Sequence, residues 1–232
     1  MTIACFGDSL TFGSIGHSYI EYWDKNCKVK NRGINGDTTI CMHTRLTHYM
    51  KRASSAKTDI YILAIGTNDL LPPYLATVSP LWNILMSLRV MLKKCLKDSS
   101  AFKCEYEKMI QTVSSRKNQI LILGLPYLQL KDFPNDLIDE RNQIIKELAI
   151  KYGIPFIDVV EIQHEINRNM TVSYSWNYSI LLRLLEGTIL PILPCLKDWL
   201  SDMRNLELTV DGVHWSSKVA RAVAAAISAN LS

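Results

Sequence analysis

Short, nearly unbroken apolar runs at residues 3–6, 59–65, 119–123 and 155–157 each stop at a glycine or a small polar cluster, with helical patterns between them. A weaker run at 28–31 ends the same way, in Gly33-Ile34-Asn35-Gly36-Asp37. Strands this short and this apolar are expected to be buried on both faces. Between them Phe102, Tyr106, Met109, Ile110 and Val113 recur at the spacing of one helix face. So do Ile138, Arg141, Ile144, Ile145 and Leu148, followed by Gly153 as a C-cap. Asp37 or Thr38 reads as the N-cap of a helix running to about residue 52, and residues 216–231 form a last helix with Val219, Ala220, Val223, Ala224 and Ile227 on one side. Alternation of this kind requires right-handed crossovers and a parallel sheet of about five strands covered by helices on both faces, an α/β three-layer sandwich.

In such a sheet ligands bind at the carboxyl ends of the strands. The turns carrying Ser9, Gly36 and Asn68 all follow strands, so one edge collects them. A serine hydroxyl there becomes a nucleophile only with a base in reach and a third group to orient that base. Of the five histidines, His17, His43, His48, His164 and His214, the last is the best placed, because Asp211 stands three residues before it across Gly212. Gly36 offers a backbone N–H for a developing oxyanion or serves only as a turn residue. Asn68 offers a side-chain amide or serves only as a helix cap.

Four blocks in this order, Gly7-Asp8-Ser9-Leu10, Gly33-Ile34-Asn35-Gly36-Asp37-Thr38, Gly66-Thr67-Asn68-Asp69 and Asp211-Gly212-Val213-His214, span nearly the whole chain. Together they resemble the SGNH hydrolases, the GDSL esterase/lipase family. The resemblance implies a flavodoxin-like sandwich and a serine esterase acting on carboxylic esters, including thioesters or lysophospholipids, through an acyl-enzyme. It assigns Ser9 as nucleophile, His214 as base and Asp211 as its partner, with the Ser9 and Gly36 N–H groups and the Asn68 side chain as the oxyanion hole. It implies no metal and no organic cofactor. Two other readings are a carbohydrate O-deacetylase of the same fold and a binding protein that keeps the fold without turnover. Asp8, Asp37 and Asp69 beside these residues are expected to accept backbone N–H groups in tight turns rather than to hold a metal.

At 232 residues and 48% apolar, the chain is expected to form one domain over residues 1–232. Two apolar segments exceed the minimal scaffold, at about 70–100 and 170–206. The first holds Pro72-Pro73 and one helix face of Leu81, Ile84, Leu85, Leu88, Met91, Leu92, Cys95 and Leu96. The second holds Tyr174, Trp176, Tyr178 and a run of leucines and isoleucines ending near Trp199. Both are expected to overhang the catalytic edge as a lid or acyl pocket, to pack on each other, or to bury apolar surface in a homodimer; residues 170–206 also suit contact with a membrane surface. No apolar run is long enough to span a bilayer, since Arg183, Glu186, Pro191 and Pro194 interrupt the greasiest stretch.

The net charge of +4 comes from 26 basic and 22 acidic residues with no basic block, which gives no support to nucleic-acid binding. The six cysteines have no Cys-x-x-Cys spacing and are expected mostly as reduced core residues. With a strand starting at residue 2 and no signal-like segment before it, the expected location is cytoplasmic.

Overall fold

The structure is a computed structural model that describes every residue except 24–26, 53, 54, 56, 116, 117, 169–173, 177–179 and 232. Met170 and Tyr178 of the second apolar segment therefore lie outside the described residues. Five parallel strands, β1 (Thr2–Gly7), β2 (Lys28–Gly33), β3 (Ile60–Ala64), β4 (Gln119–Leu123) and β5 (Phe156–Ile157), form one sheet in the order β2-β1-β3-β4-β5. This is the flavodoxin-like order, with its switch point between β1 and β3.

Side chains alternate along each inner strand, so each strand feeds two separate cores. Ala4, Phe6, Tyr61, Leu63, Ile120 and Ile122 pack under α2 (Thr39–Met50), α3 (Thr67–Val78), α5 (Ser99–Ser114) and α6 (Asp136–Tyr152). Ile3, Cys5, Ile60, Ile62, Leu121 and Leu123 face the opposite way, toward α7 (Val159–Ile166) and α10 (Ser217–Leu231). Each fully buried Leu, Ile or Phe contributes about 1.5–3 kcal/mol. The two-sided covering explains why the central strands read as continuous apolar runs.

β2 departs from that expectation. It is one of the two edge strands, and in Lys-Val-Lys-Asn-Arg-Gly only Gly33 is buried; the lysines and arginine keep that open edge polar. α3 is also unexpected, because Pro72 and Pro73 stand inside it. A proline at 72 cannot donate to the Asn68 carbonyl one turn back. The Cys95 thiol takes that place, with Sγ 3.3 Å from Asn68 O. Cys95 and Leu96 accordingly lie beyond the next helix, α4 (Pro80–Lys93), which ends at left-handed Lys94.

α4 carries its apolar stripe outward. Leu81, Ile84, Leu88, Met91 and Leu92 are exposed, Ile84 at 70%, while Trp82 is buried. α8 (Ile180–Ile189) does the same with Leu181, Leu182, Leu184 and Leu185. It is tied down by the buried Glu186, which accepts from Arg183 at 2.8 Å and from Arg204 beyond α9 (Leu196–Met203). Of the six cysteines, all free, only Cys5 is fully buried, and Cys104 and Cys195 are exposed. Among the described residues no helix is long and apolar enough to cross a membrane.

Candidate active site

β1 ends at Gly7 and the chain turns at once into α1 (Ser9–Phe12), capped by Asp8, whose Oδ1 accepts from Leu10 N at 2.9 Å. Ser9 is therefore the first residue of a helix and stands at the carboxyl end of β1, beside the switch point of the sheet. From the far end of the chain, an isolated antiparallel bridge between Thr209 and Trp215 closes a tight loop around Asp211 and His214, with Gly212 at φ +91°. Val213 N and His214 N donate to Asp211 Oδ1 at 3.0 and 2.8 Å. The loop brings His214 Nε2 to 3.0 Å from Ser9 Oγ and His214 Nδ1 to 2.9 Å from Asp211 Oδ2. All three side chains are buried. In such a chain the imidazole is able to take the hydroxyl proton while the carboxylate holds the ring.

Burial pushes the Asp211 carboxyl up, yet the adjacent His214, its side-chain and backbone hydrogen bonds, and Arg183 together bring it down to about 2. It is ionised at neutral pH. Asp8 goes the other way: complete burial raises it to about 6 despite the Leu10 N–H, His214 and the Asn68 amide. Asn68 Nδ2 donates to Asp8 Oδ2 at 3.1 Å, which leaves its second hydrogen free. Gly36 sits at φ +69° in the loop after β2. Among the described residues no group accepts from the Ser9 or Gly36 backbone N–H.

The remaining acidic residues hold the loops together. Asp69 accepts from Thr39 N, Thr39 Oγ1 and Leu96 N at 3.0, 2.7 and 2.8 Å, as a turn carboxylate should. Asp37 differs from expectation, since it accepts Arg45 Nε at 2.8 Å in an ion pair rather than backbone N–H groups. Among the described residues no group of three or more His, Cys, Asp or Glu side chains is placed to hold a metal ion. The other four histidines stand elsewhere: His17 bonds Glu21 and Tyr22, His43 bonds Glu105 and Thr112, His48 lies in the last turn of α2 beside a hollow with Arg45 and Tyr49, and His164 packs on the Tyr127 ring.

Ser9, Gly36, Asn68 and His214 open onto a cavity of about 390 Å³ walled by Leu71, Leu75, Trp82, Met86, Trp176 and Ile180. α3, the inner sides of α4 and α8, and Trp176 before α8 form that wall, so the two apolar segments overhang the edge while α4 and α8 leave their outer faces uncovered. Sequence reasoning missed four supports. Trp176 donates through Nε1 to Asp211 O at 2.6 Å, and Trp82 donates to Trp176 O at 2.9 Å with the two rings stacked 6.0 Å apart. Arg183 lies 3.9 Å from Asp211. Lys197 donates to Gly13 O and Gly16 O, at 2.8 and 2.7 Å, fixing the loop on which the His214 backbone rests. Lone polar tips inside apolar segments were the only signals for them.

The profile of the GDSL-like Lipase/Acylhydrolase family matches residues 5–179. The match takes in Ser9, Gly36 and Asn68 and stops short of Asp211 and His214. No curated protein matches the chain. Among solved structures, a lipase/acylhydrolase from Enterococcus faecalis is similar at 19% identity with a TM-score of 0.62, covering 99% of this chain and 94% of that one. An acetyl xylan esterase is similar at 18% identity and TM-score 0.65, over 100% of both chains. A catalytic mutant of an acetylxylan esterase from Geobacillus stearothermophilus is similar at 16% identity and TM-score 0.61, over 97% of this chain and 91% of that one. At these identities the likeness establishes the fold.

Proposed function

Because the chain belongs to the GDSL-like lipase/acylhydrolase family, we propose that it is a serine esterase that hydrolyses carboxylic esters with a substantial acyl chain. The observation that carries this reading is the hydrogen-bonded line of Asp211, His214 and Ser9 opening onto an apolar cavity. Ser9 Oγ attacks the ester carbonyl and gives its proton to His214 Nε2. The oxyanion takes the Ser9 and Gly36 N–H groups and the free Asn68 amide hydrogen, all fixed before the reaction. His214 then protonates the leaving alcohol, and a water that loses its proton to His214 releases the acid and restores Ser9. Asp211 stays ionised and holds Nδ1–H throughout.

The test is Ser9→Ala together with an acyl series on one alcohol. The variant is expected to fold and to lose at least ~10³-fold in kcat/KM, and the wild type to prefer octanoate over acetate. A folded Ser9→Ala protein with full activity contradicts the assignment. The acetyl xylan esterases among the similar structures favour a second reading, a carbohydrate O-deacetylase. Rates that fall steadily from acetate to octanoate select it.

Surface contact belongs to the same proposal. Leu85 and Leu184 line the cavity and are also exposed at its mouth. An acyl chain therefore passes from a lipid surface into the cavity without crossing water. Cosedimentation with phosphatidylcholine vesicles tests this; a dimer in lipid-free buffer that does not bind vesicles assigns the same face to a second copy. A cytoplasmic setting completes the proposal, supported by six cysteines that stand as thiols, and cell fractionation checks it.

A further inference from the structure

Arg89 is the first charge along α4, whose sequence runs Pro-Leu-Trp-Asn-Ile-Leu-Met-Ser-Leu before it. It lies on the inner side of the helix, one turn beyond Met86, and lines the same cavity as Ser9, Asn68 and His214. Its guanidinium presses against Gly36. A Cβ built on Gly36 would lie 1.7 Å from Arg89 Nη2 and 2.8 Å from Cζ, so the glycine gives the arginine room to reach the reacting end of the cavity.

This cation has no partner among the described residues. Its Nε is buried and unbonded, and no carboxylate among the described residues forms an ion pair with it. The acidic groups nearby are all committed: Asp8 to Leu10 N and Asn68, Asp69 to Thr39 and Leu96, Asp37 to Arg45. The Cys95 thiol, which Arg89 also influences, is pushed up by burial to about 11 and stays neutral. Arg183, the second arginine on the cavity, is by contrast bound to Glu186 and faces Asp211. Holding a guanidinium partly out of water without a counter-charge is unfavourable. An anion in the cavity relieves that cost, and a planar fork of N–H donors suits a phosphate or carboxylate.

We propose that Arg89 is a specificity residue that binds an anionic group, a phosphate or carboxylate, carried on the alcohol side of the ester close to the scissile bond. The inference rests on the ester-hydrolysis reading and narrows it to anionic amphiphiles: an acyl chain against Leu75 and Trp82, an ester at Ser9, and a negative group at Arg89.

The experiment compares 1-octanoylglycerol 3-phosphate with uncharged 1-octanoylglycerol, below their aggregation concentrations, for the wild type, Arg89→Gln and Arg89→Lys. The wild type is expected to favour the phosphate ester at least tenfold in kcat/KM. Arg89→Gln brings that ratio to within about threefold of one, mainly through KM, and Arg89→Lys keeps an intermediate ratio. Inorganic phosphate is expected to inhibit the wild type competitively and Arg89→Gln at least tenfold more weakly. The proposal is overturned by a wild type without preference, by Arg89→Gln keeping the ratio, or by equal losses on both esters, which would place Arg89 at the oxyanion. A wild type that hydrolyses neither ester, nor any of the acyl series, instead defeats the esterase reading. Circular dichroism and thermal melting establish that each variant is folded.

Discussion

At the carboxyl edge of the sheet, the buried carboxylates Asp211, Asp8 and Asp69 are each held by at least two hydrogen bonds. Asp211 accepts two backbone N–H groups and the imidazole, Asp8 accepts a backbone N–H and the Asn68 amide, and Asp69 ties three segments together. A few turns away, α4 and α8 are anchored only along their inner sides and leave Ile84, Leu88, Leu181 and Leu185 in solvent. The first region is over-determined because an unpaired buried polar group is costly and each pairing fixes the next. The second is free to vary, because exposed apolar side chains away from the cavity constrain nothing in the fold. In the proposed function, reaction chemistry belongs to the one and substrate selection to the other.

Substitutions break this comparison in order of size. Asp211→Asn keeps the shape of the loop but leaves the imidazole without an ionised partner, and is expected to lower kcat by ~10³–10⁴-fold with little change in KM; a loss below tenfold removes Asp211 from the mechanism. Asn68→Ala deletes one of the proposed oxyanion donors and the amide that Asp8 accepts from, with an expected loss of ~10²–10³-fold in kcat.

The buried carboxyls give a stability effect of similar size. Asp8 has a folded pKa of about 6, above the ordinary carboxylate value, so the folded state holds its proton between about pH 4 and 6 while the unfolded chain releases it. Its contribution to stability therefore grows as pH falls through that window, by roughly 2–3 kcal/mol. Denaturant unfolding of wild type and Asp8→Asn at pH 4.5 and 7 should show the gain on acidification shrinking in the variant. Asp211, at about 2, has the opposite sign, and its contribution is lost only as pH falls below the ordinary carboxylate range.

Substitutions on the overhanging helices are expected to act on selectivity. Met86→Ala on the cavity wall removes apolar contact with the acyl chain and should lower the octanoate-to-acetate ratio by ~3- to 10-fold without altering acetate hydrolysis. Ile84→Ser on the outer face is expected to change unfolding free energy by less than about 0.5 kcal/mol. A large loss there would reveal a packing partner for that face.

The same contrast governs what the sequence made legible. The central strands were plain because both faces are buried, and the turns carrying Ser9, Gly36 and Asn68 followed from strand ends. The link from Asp211 to His214 was readable because three residues separate them. β2 reads as buried from its place in the alternation, whereas Lys28, Lys30 and Arg32 mark it as an exposed edge. α3 stayed hidden because Pro72 and Pro73 break the usual helix pattern, and the Cys95 thiol that compensates lies more than twenty residues away. The orientation of α4 was not legible at all: an apolar stripe looks the same whether it faces a core or solvent, and only the inward set of Trp82, Met86 and Arg89 distinguishes them. Trp176, which supports the Asp211 loop, is joined to it only by the fold.

The central claim is that Ser9 is the nucleophile of an acyl transfer site assembled by His214 and Asp211. Labelling with a fluorophosphonate probe followed by peptide mass spectrometry tests it most directly. One adduct per chain, on Ser9 and absent from folded Ser9→Ala and strongly slowed in His214→Ala, is the predicted result. An adduct on another residue, or none in a protein that hydrolyses esters, would contradict it.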